Sequence, residues 1–225
     1  MTIIPYFKKA LISCKLLADK GGNGDGMPKD FSETLEWFTK AANQGDSSAQ
    51  YNLAVAYSKG QGTPKDFSKA LEWFAKAANQ GHSSAQYSLG VMYGNGDGVP
   101  KDSSKALEWF TKAANQGDYQ AQFNLGFMYG NGDGVPKDSS KALKWYTKAA
   151  NQGDYQAQHT LGFMYLEGDG TPKDYSKAYK HLSIAGALGE ETKVLDELEK
   201  IMTTEQIAEA QKQASEWWEA YKKNK

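Results

Sequence analysis

The stretch GNGDGVPKDSSKALEWFTKAANQGD, residues 94–118, returns almost letter for letter as GNGDGVPKDSSKALKWYTKAANQGD at residues 130–154. Blocks that begin at Ala41, Ala77, Ala113 and Ala149 align without a gap, and the second and third agree at 28 of 36 positions. A catalytic or binding site is rarely duplicated whole, so the repetition indicates architecture. Prolines mark the same 36-residue period along the chain: Pro28, Pro64, Pro100, Pro136 and Pro172.

The first part of each block predicts a short helix, which we call helix A. In DSSAQYNLAVAYSKG, Asp46 is a candidate N-cap for the helix. Apolar residues then recur at helical spacing and define one face. They are Ala49, Leu53, Ala56 and Tyr57.

The second part of each block, DFSKALEWFAKAANQG, predicts a second helix, which we call helix B. Pro64 and Asp66 mark its start, and Gly81 marks its end. Its tryptophan is expected to lie in the core, so that Trp109 is buried between helices A and B of its own and neighbouring repeats. The predicted apolar face comprises Ala70, Trp73, Phe74 and Ala77.

Two short helices per block cannot bury both apolar faces by themselves, so successive hairpins must stack on one another. The predicted fold class is all-α, a right-handed α/α solenoid (superhelix) of stacked antiparallel helix pairs with a 36-residue period. The predicted domains are an N-terminal capping hairpin over 1–40, four repeats over 41–184 and C-terminal capping helices over 185–225. The four repeats are 41–76, 77–112, 113–148 and 149–184.

The repeated letters resemble the Sel-like repeat, a relative of the tetratricopeptide repeat. The resemblance extends from about Ser13 to Gly189 and implies the solenoid fold and a role as a protein-interaction adaptor. Its motif is Ala, then Leu-Gly, Tyr, Gly-x-Gly-Val-Pro-x-Asp, Lys-Ala-x-x-Trp and Ala-Ala-x-x-Gly. In one copy it falls on Ala85, Leu89, Gly90, Tyr93, Gly96, Gly98, Asp102, Ala106, Trp109 and Gly117.

The two ends depart from the repeat pattern. Asp19, Lys20 and Gly21 replace the expected Phe, Met and Tyr, which is typical of a solvated N-terminal cap. At the other end, Thr203 and Gln206 form a capping box before a long helix. The helix is expected to close the exposed end of the core with an apolar stripe of Ile207, Ala210, Ala214, Trp217 and Tyr221.

Composition excludes several classes of function. The formal net charge is -1, so the protein has no net positive charge to attract nucleic acid. Every basic residue is a lysine, so no guanidinium group is present to bind phosphate in a bidentate manner. The single cysteine, Cys14, cannot form an internal disulfide. The segment LISC, which ends in Cys14, resembles a lipoprotein cleavage box. The apolar run before the cysteine is too short for a signal peptide, since Lys8 and Lys9 interrupt it. We expect no membrane insertion, a monomer, and a cytoplasmic location, or a periplasmic or secreted one if an upstream signal was removed.

The residue types that could carry chemistry are better explained as scaffold. The GNGDG loops lack the strand and lysine of a phosphate cradle and the carboxylates of a calcium loop, so Gly96 and Gly98 are predicted to supply positive φ in a turn. His82, His159 and His181 replace a capping aspartate, an aromatic and a tryptophan of other copies. We therefore expect no catalysis, no metal and no cofactor.

A candidate binding surface lies on helix A, on the positions that face away from Leu53 and Tyr57. These positions vary between repeats while the scaffold stays fixed, and in the family they line the concave side. An amide beside an aromatic can hold peptide backbone and side chain respectively. In the alternative interpretation, the aromatics pack between adjacent A helices. The candidate residues in the third and fourth repeats are Gln120, Phe123, Asn124, Phe127, Gln156, His159, Thr160 and Phe163, where Val55 and Val91 precede the two phenylalanines.

The function predicted from this surface is a non-catalytic interaction scaffold that binds a protein or peptide partner in the concave groove. One alternative is a cell-wall-linked enzyme or penicillin-binding protein, a role attributed to a cysteine-rich branch whose cysteine pairs are missing here. A second alternative is a small-molecule or glycan receptor that uses the same aromatics.

Overall fold

A computed structural model describes residues 29–189 and 194–223, and over these ranges the chain is helical with short turns and no strand. Cys14, the LISC segment and the first part of the predicted N-terminal cap lie outside the described residues. The described helices are α1 Lys29–Asn43, α2 Ser47–Lys59, α3 Phe67–Asn79, α4 Ser83–Asn95, α5 Ser103–Asn115, α6 Tyr119–Asn131, α7 Ser139–Asn151, α8 Tyr155–Glu167, α9 Tyr175–Leu188, α10 Val194–Glu199 and α11 Thr204–Lys223.

Aspartates begin most of the repeat helices, as the sequence predicts. The Oδ1 atom of Asp118 accepts a hydrogen bond from the Ala121 N–H at 2.8 Å at the start of α6. Asp138 does the same for the Lys141 N–H at 2.9 Å at the start of α7. A side-chain acceptor at this position satisfies a backbone donor that has no partner within the helix. The other N-caps of this kind are Asp46, Asp66, Asp102, Asp154 and Asp174.

The B helices end in a glycine with positive φ. At the end of α3, Gly81 has φ 88° and its N–H donates to the Ala78 carbonyl at 3.0 Å. The next N–H, of His82, reaches back to the Ala77 carbonyl at 3.1 Å. This pair of bonds is a Schellman motif, which requires a left-handed residue at the glycine position. The predicted stop at Gly81 is confirmed.

The chain divides into two compact units, Met1–His82 and Ser83–Lys225. In the first unit, α2 packs against both α1 and α3. Its core contains Ala42, Ala49 and Leu53, of which Leu53 is 1% exposed. The predicted apolar face of helix A is therefore confirmed in this repeat.

In the second unit, A and B helices alternate along the chain and each packs against its neighbours in sequence. The pairs α4 with α5, α6 with α7, and α8 with α9 are the repeat hairpins, and α5 with α6 and α7 with α8 join one hairpin to the next. Leu125 and Leu161, at equivalent positions of α6 and α8, are completely buried. The predicted all-α class with stacked helix pairs is confirmed, whereas the predicted domain boundaries stay predictions.

The core position of helix B differs from the prediction. Trp109 is only partly buried, and the Lys112 Nζ lies over its ring at 4.0 Å from the centroid. Its neighbour Phe110 is 5% exposed and lies in the core with Leu125. The expectation that Trp109 fills the core is wrong, because α4 approaches α5 closely on the side of Phe110: a Cβ on Gly90 would lie 2.5 Å from the Phe110 ring.

The C-terminal helices close the second unit. Thr203 and Gln206 form the predicted capping box, with the Thr203 N–H donating to Gln206 Oε1 at 2.9 Å and the Gln206 N–H donating to Thr203 Oγ1 at 3.2 Å. Ala210 of α11 is buried in a cluster with Leu182 of α9 and Leu198 of α10. Part of the predicted apolar stripe of α11 therefore lies against the last repeat.

Candidate functional site

The predicted binding residues lie on the A helices α6 and α8, both within the second unit. They differ strongly in exposure. Phe127 is 48% exposed and belongs to no core cluster of the described residues. Phe163, at the equivalent position of α8, is partly buried and packs against the cluster that contains Leu182 and Leu198. The two phenylalanines therefore do not form a pair of equal exposed anchors.

Phe123 points toward the neighbouring B helix. Its ring meets Tyr146 of α7 edge-on, with the ring centroids 5.3 Å apart. Tyr87 of α4 has the same relation to Phe110 of α5, with a centroid distance of 5.8 Å. Phe123 and Tyr87 are each partly buried against a core cluster. This position contributes mainly to packing, as in the alternative interpretation.

Tyr87 also connects one repeat to the next. Burial raises the pKa of the Tyr87 phenol, and a hydrogen bond from the Asn124 side chain partly offsets that effect. The phenol of α4 is thus in contact with a predicted binding residue of α6. Adjacent A helices are therefore linked by side chains at the candidate positions themselves.

Two of the small polar residues are bonded within their own helices. Asn124 Nδ2 donates to the Gln120 carbonyl at 2.9 Å, and Thr160 Oγ1 donates to the Gln156 carbonyl at 2.8 Å. The side chains of Gln120 and Gln156 are exposed. Of the predicted polar residues on α6 and α8, the two glutamines are therefore better placed than Asn124 or Thr160 to reach a partner.

His159 lies between these positions and Phe163. Its ring contacts the Phe163 ring with a centroid distance of 4.8 Å, and the histidine is partly buried. The contact extends the aromatic surface of α8 from His159 to Phe163. The structure therefore brings these two predicted residues together.

Two exposed tyrosines at the starts of these helices were missed by the sequence analysis. Tyr119 and Tyr155 are each 45% exposed, and they are the first residues of α6 and α8. The signal was available, because Ser47 and Ser83 occupy the same position in the first two repeats. Aromatic rings therefore follow one another at i, i+4 and i+8 on both helices, which places them on one face. We call these sets the aromatic stripes: Tyr119, Phe123 and Phe127 on α6, and Tyr155, His159 and Phe163 on α8.

The aromatic stripes lie on helices that carry almost no charge. Helices α4 and α6 contain no Asp, Glu, Lys or Arg, and α8 contains only Glu167 at its last position. Most lysines and glutamates of the repeats lie on the B helices or in the loops before them. A partner on the A-helix face therefore meets mainly aromatic rings and amides, with the capping carboxylates of Asp118 and Asp154 directly before the first tyrosines.

A second repeated polar feature was also missed. Gln122 is 5% exposed, and its Nε2 donates to the Ala114 carbonyl at 3.1 Å. Its Oε1 accepts a bond from Gln152 Nε2 at 2.9 Å. The Ala-Gln dipeptide that recurs in each repeat was the available signal, and its glutamine ties helix A to both neighbouring B segments. This glutamine is a structural element, since it is enclosed and both ends of its amide are bonded.

Two of the histidines are held in packing roles. Burial lowers the pKa of His181 to about 3, and its Nδ1 lies 2.7 Å from Gln158 Oε1. Burial also lowers the pKa of His82, whose ring stacks on Tyr51 with centroids 4.7 Å apart. Both rings are therefore largely neutral at physiological pH. Neither is suited to exchange protons near neutrality.

The glycine loops have a packing role. Gly96 and Gly98 have φ values of 86° and 73°, so the predicted turn conformation is confirmed. In the next loop, a Cβ on Gly134 would lie 2.8 Å from the backbone of Ser103, at the start of α5. A side chain at Gly134 would clash with Ser103, because the loop that contains this glycine packs against the start of α5. Within the described ranges, no three residues of His, Cys, Asp or Glu are grouped in a way that suits a metal ion.

None of the helices in the described ranges is both long enough and apolar enough to cross a bilayer.

A family model described as Sel1 repeat matches residues 14–46, 47–82, 83–118, 120–154 and 156–190, which is more than half of the chain. Its repeats are counted from the start of an A helix, whereas the predicted blocks are counted from the end of a B helix. No curated protein sequence matches the chain.

Solved structures give similar matches. A protective antigen of uropathogenic Escherichia coli with the SLR fold is 32% identical, with a TM-score of 0.78 over 96% of this chain and 45% of that one. This chain thus spans less than half of the antigen. A Sel1 repeat protein from Oxalobacter formigenes is 33% identical, with a TM-score of 0.68 over 81% of this chain and 76% of that one. An immunity protein from Pseudomonas aeruginosa, at 22% identity and a TM-score of 0.55 over 99% of this chain and 83% of that one, shares the fold.

Proposed function

This chain belongs to the Sel1-repeat family, whose members are typically protein-interaction scaffolds without catalytic activity, and from that premise we propose that its aromatic stripes bind an uncharged, partly apolar peptide segment of a partner protein. The single observation that carries the proposal is the exposure of Phe127. A phenylalanine in the middle of a helix, 48% exposed and outside the described core clusters, contributes little to the fold. Exposed aromatic groups of this kind mark interaction surfaces more often than isolated aliphatic residues do.

The exposed residues of the aromatic stripes and their neighbouring amides indicate what kind of partner segment would bind. The rings of Tyr119, Phe127 and Tyr155 provide apolar contact area at low cost in side-chain entropy. The amides of Gln120 and Gln156 can donate to and accept from a peptide backbone. Because α6 carries no charge, the partner segment should be uncharged, and its binding should change little with salt concentration.

The roles of the eight predicted residues follow from their environments. Phe127, Gln120 and Gln156 contact the partner directly in this proposal. The other five residues stabilise the A-helix face through contacts within the second unit. They are Phe123, Asn124, His159, Thr160 and Phe163. The third and fourth repeats therefore form the centre of the site, since the first two repeats have serine and valine where these have tyrosine and phenylalanine.

The test uses substitutions that the chain itself tolerates at equivalent positions. Peptides selected by display against the immobilised protein are measured by fluorescence anisotropy with the parent, with Phe127→Val and with the double variant Tyr119→Ser, Tyr155→Ser. We expect each variant to weaken binding by about 30-fold or more, which corresponds to a loss of about 2 kcal/mol for a central aromatic anchor. Glu108→Gln on the B helix α5 is the control, and it should bind like the parent.

Two outcomes would contradict the proposal. If none of the selected peptides lost affinity for Phe127→Val, the site would lie elsewhere. If the peptides that depend on Phe127 were strongly charged, with affinities that fall steeply with added salt, the partner of the A-helix face would not be uncharged. Melting temperatures of the variants complete the test, because a loss of binding counts only where the fold is retained.

We also propose that the protein is a monomer, and light scattering on the purified protein, in which a stable dimer would contradict it, is the test.

We propose a cytoplasmic location, or a periplasmic or secreted one if an upstream signal is removed. Cell fractionation distinguishes these locations, and recovery in a membrane fraction would contradict both.

A further inference from the structure

The outer surface of the B helix α7 differs in charge from the same surface of α5. At the position of Glu72 in α3 and Glu108 in α5, helix α7 has Lys144. In α5, Glu108 forms an ion pair with Lys112, with the two charged atoms 2.6 Å apart. Helix α7 contains three lysines and no acidic residue. The exchange of one glutamate for a lysine thus changes the net charge of the helix from +1 in α5, with two lysines and one glutamate, to +3 in α7, with three lysines.

The lysines of α7 share one face. Residues 141, 144 and 148 follow the i, i+3 and i+7 spacing of a helical stripe, with Trp145 between them. Lys141 is paired with the capping Asp138 at 3.3 Å. Lys144 has no ion pair with a described carboxylate, and the Lys148 Nζ lies over the Trp145 ring at 4.1 Å from the centroid. Asp138 is also close enough to Lys144 for that lysine to help lower the pKa of the Asp138 carboxyl, so one carboxylate faces two lysines and the patch keeps a net positive charge.

These side chains surround an open depression on the surface. Its lining combines apolar and basic groups, and Trp145 is partly buried and packs against the core cluster shared by α5 and α6. All three lysines are exposed. The lining residues are Lys141, Leu143, Lys144, Trp145, Thr147 and Lys148.

We propose that this depression, the basic patch of α7, is a second docking surface that binds an acidic peptide segment of a partner protein. Carboxylates of the segment pair with Lys144 and Lys148, and one of its apolar side chains packs on Trp145 and Leu143. This surface is separate from the aromatic stripes, since it lies on a B helix and its partner is charged. The proposal for the basic patch can therefore be correct or wrong independently of the function proposed for the A helices.

The size and chemistry of the patch favour a peptide over a nucleic acid. The seven helical steps from Lys141 to Lys148 span about 10 Å, which corresponds to about three residues of extended peptide. A nucleic acid would need a longer basic track to gain useful affinity. The chain also has no arginine with which to hold phosphates in bidentate geometry. A short acidic segment with an apolar residue fits both the length and the lining.

The probe is a fluorescein-labelled peptide built from the repeated unit Glu-Glu-Leu, measured by anisotropy with the intact protein. Its counterpart with glutamine in place of every glutamate tests the charge, and a single-stranded oligonucleotide of equal charge tests for nucleic acid. We expect the acidic peptide to bind, the glutamine peptide to bind at least about 10-fold more weakly, and the affinity to fall as salt shortens the Debye length.

Two variants test the location of the site. Lys144→Glu restores the arrangement of α5, so it should keep the fold and weaken the acidic peptide by about 10-fold or more, because it replaces an attraction with a repulsion. Glu108→Lys gives α5 the lysine pattern of α7 and should increase peptide binding. Lys180→Glu on α9 is the control for a general charge effect and should change the affinity much less.

Several results would overturn the proposal. These are the absence of binding by the acidic peptide, equal binding of the glutamine peptide, equal loss in Lys144→Glu and Lys180→Glu, and preference for the oligonucleotide. Phe127→Val should bind the acidic peptide as the parent does, and a parallel loss in that variant would mean that the two surfaces are not distinct.

Discussion

The adjacent residues Trp109 and Phe110 allow the packing of helix B to be measured directly. Phe110 is 5% exposed and fills the space between α4 and α5, so Phe110→Ala should destabilise the second unit by about 3–5 kcal/mol. Trp109 is partly buried and holds Lys112 over its ring at 4.0 Å. Trp109→Ala should therefore cost about 1–2 kcal/mol, from a cation–π contact of about 0.5–1 kcal/mol and from the partial loss of apolar burial.

Urea unfolding followed by far-UV circular dichroism measures both variants, and it does not depend on the fluorescence of the removed tryptophan. With an m-value of about 2 kcal/mol per M, Phe110→Ala should lower the urea midpoint by about 2 M and Trp109→Ala by less than about 1 M. The conservative variant Phe110→Tyr, which reproduces Tyr146 of the next repeat, should stay close to the parent. Equal losses from the two alanine variants, or a larger loss from Trp109→Ala, would refute the assignment of Phe110 to the core.

Two further predictions concern polar groups of the second unit. Gln122→Ala should lower the free energy of unfolding by about 1–3 kcal/mol, because it leaves the buried Ala114 carbonyl without its side-chain donor and removes one of the two acceptors of the Gln152 amide. Gln152→Ala, at the exposed end, should cost less, and calorimetry that finds equal effects would argue against a structural role for the buried Gln122. Burial lowers the pKa of His181 to about 3 in the folded protein, whereas the same histidine in the unfolded chain takes up a proton below about pH 6.5. The free energy of unfolding should therefore fall as the pH is lowered from about 6.5 toward about 3. His181→Trp, the residue of the other repeats, should reduce this fall, and urea midpoints of parent and variant that decline in parallel between neutral and acidic pH would contradict it.

Local signals in the sequence were sufficient for the helices. The capping aspartates and the glycines with positive φ act on backbone groups within a few residues, so their positions define where each helix begins and ends. Asp118 and Gly81 illustrate this, since both perform in the structure the role that their neighbours in sequence predict. The stacking of hairpins also followed from the sequence, because a repeated pair of short amphipathic helices has no other way to bury its apolar faces.

The candidate site was predicted only in part. The sequence analysis placed the candidate surface on the A helices of the third and fourth repeats, because variation within a fixed pattern separates surface positions from scaffold, and that location stays a prediction. It missed Tyr119 and Tyr155, although both replace a serine, since their position was assigned to the start of a helix rather than to a face. It also treated Asn124 and Thr160 as free to bind a partner. In the structure each side chain donates a hydrogen bond to a backbone carbonyl of its own helix, and the sequence does not determine the rotamer that makes this bond.

The sequence by itself determined the period, the helix limits and the all-α class, because these depend on local hydrogen bonding and on apolar spacing. Only the tertiary structure decided which aromatic groups are available to a partner. Phe127 and Phe163 occupy the same position of successive repeats, yet Phe127 is exposed while Phe163 packs against the cluster formed by α9, α10 and α11. Burial is a property of what lies opposite a side chain, and for Phe163 those residues come from later in the chain.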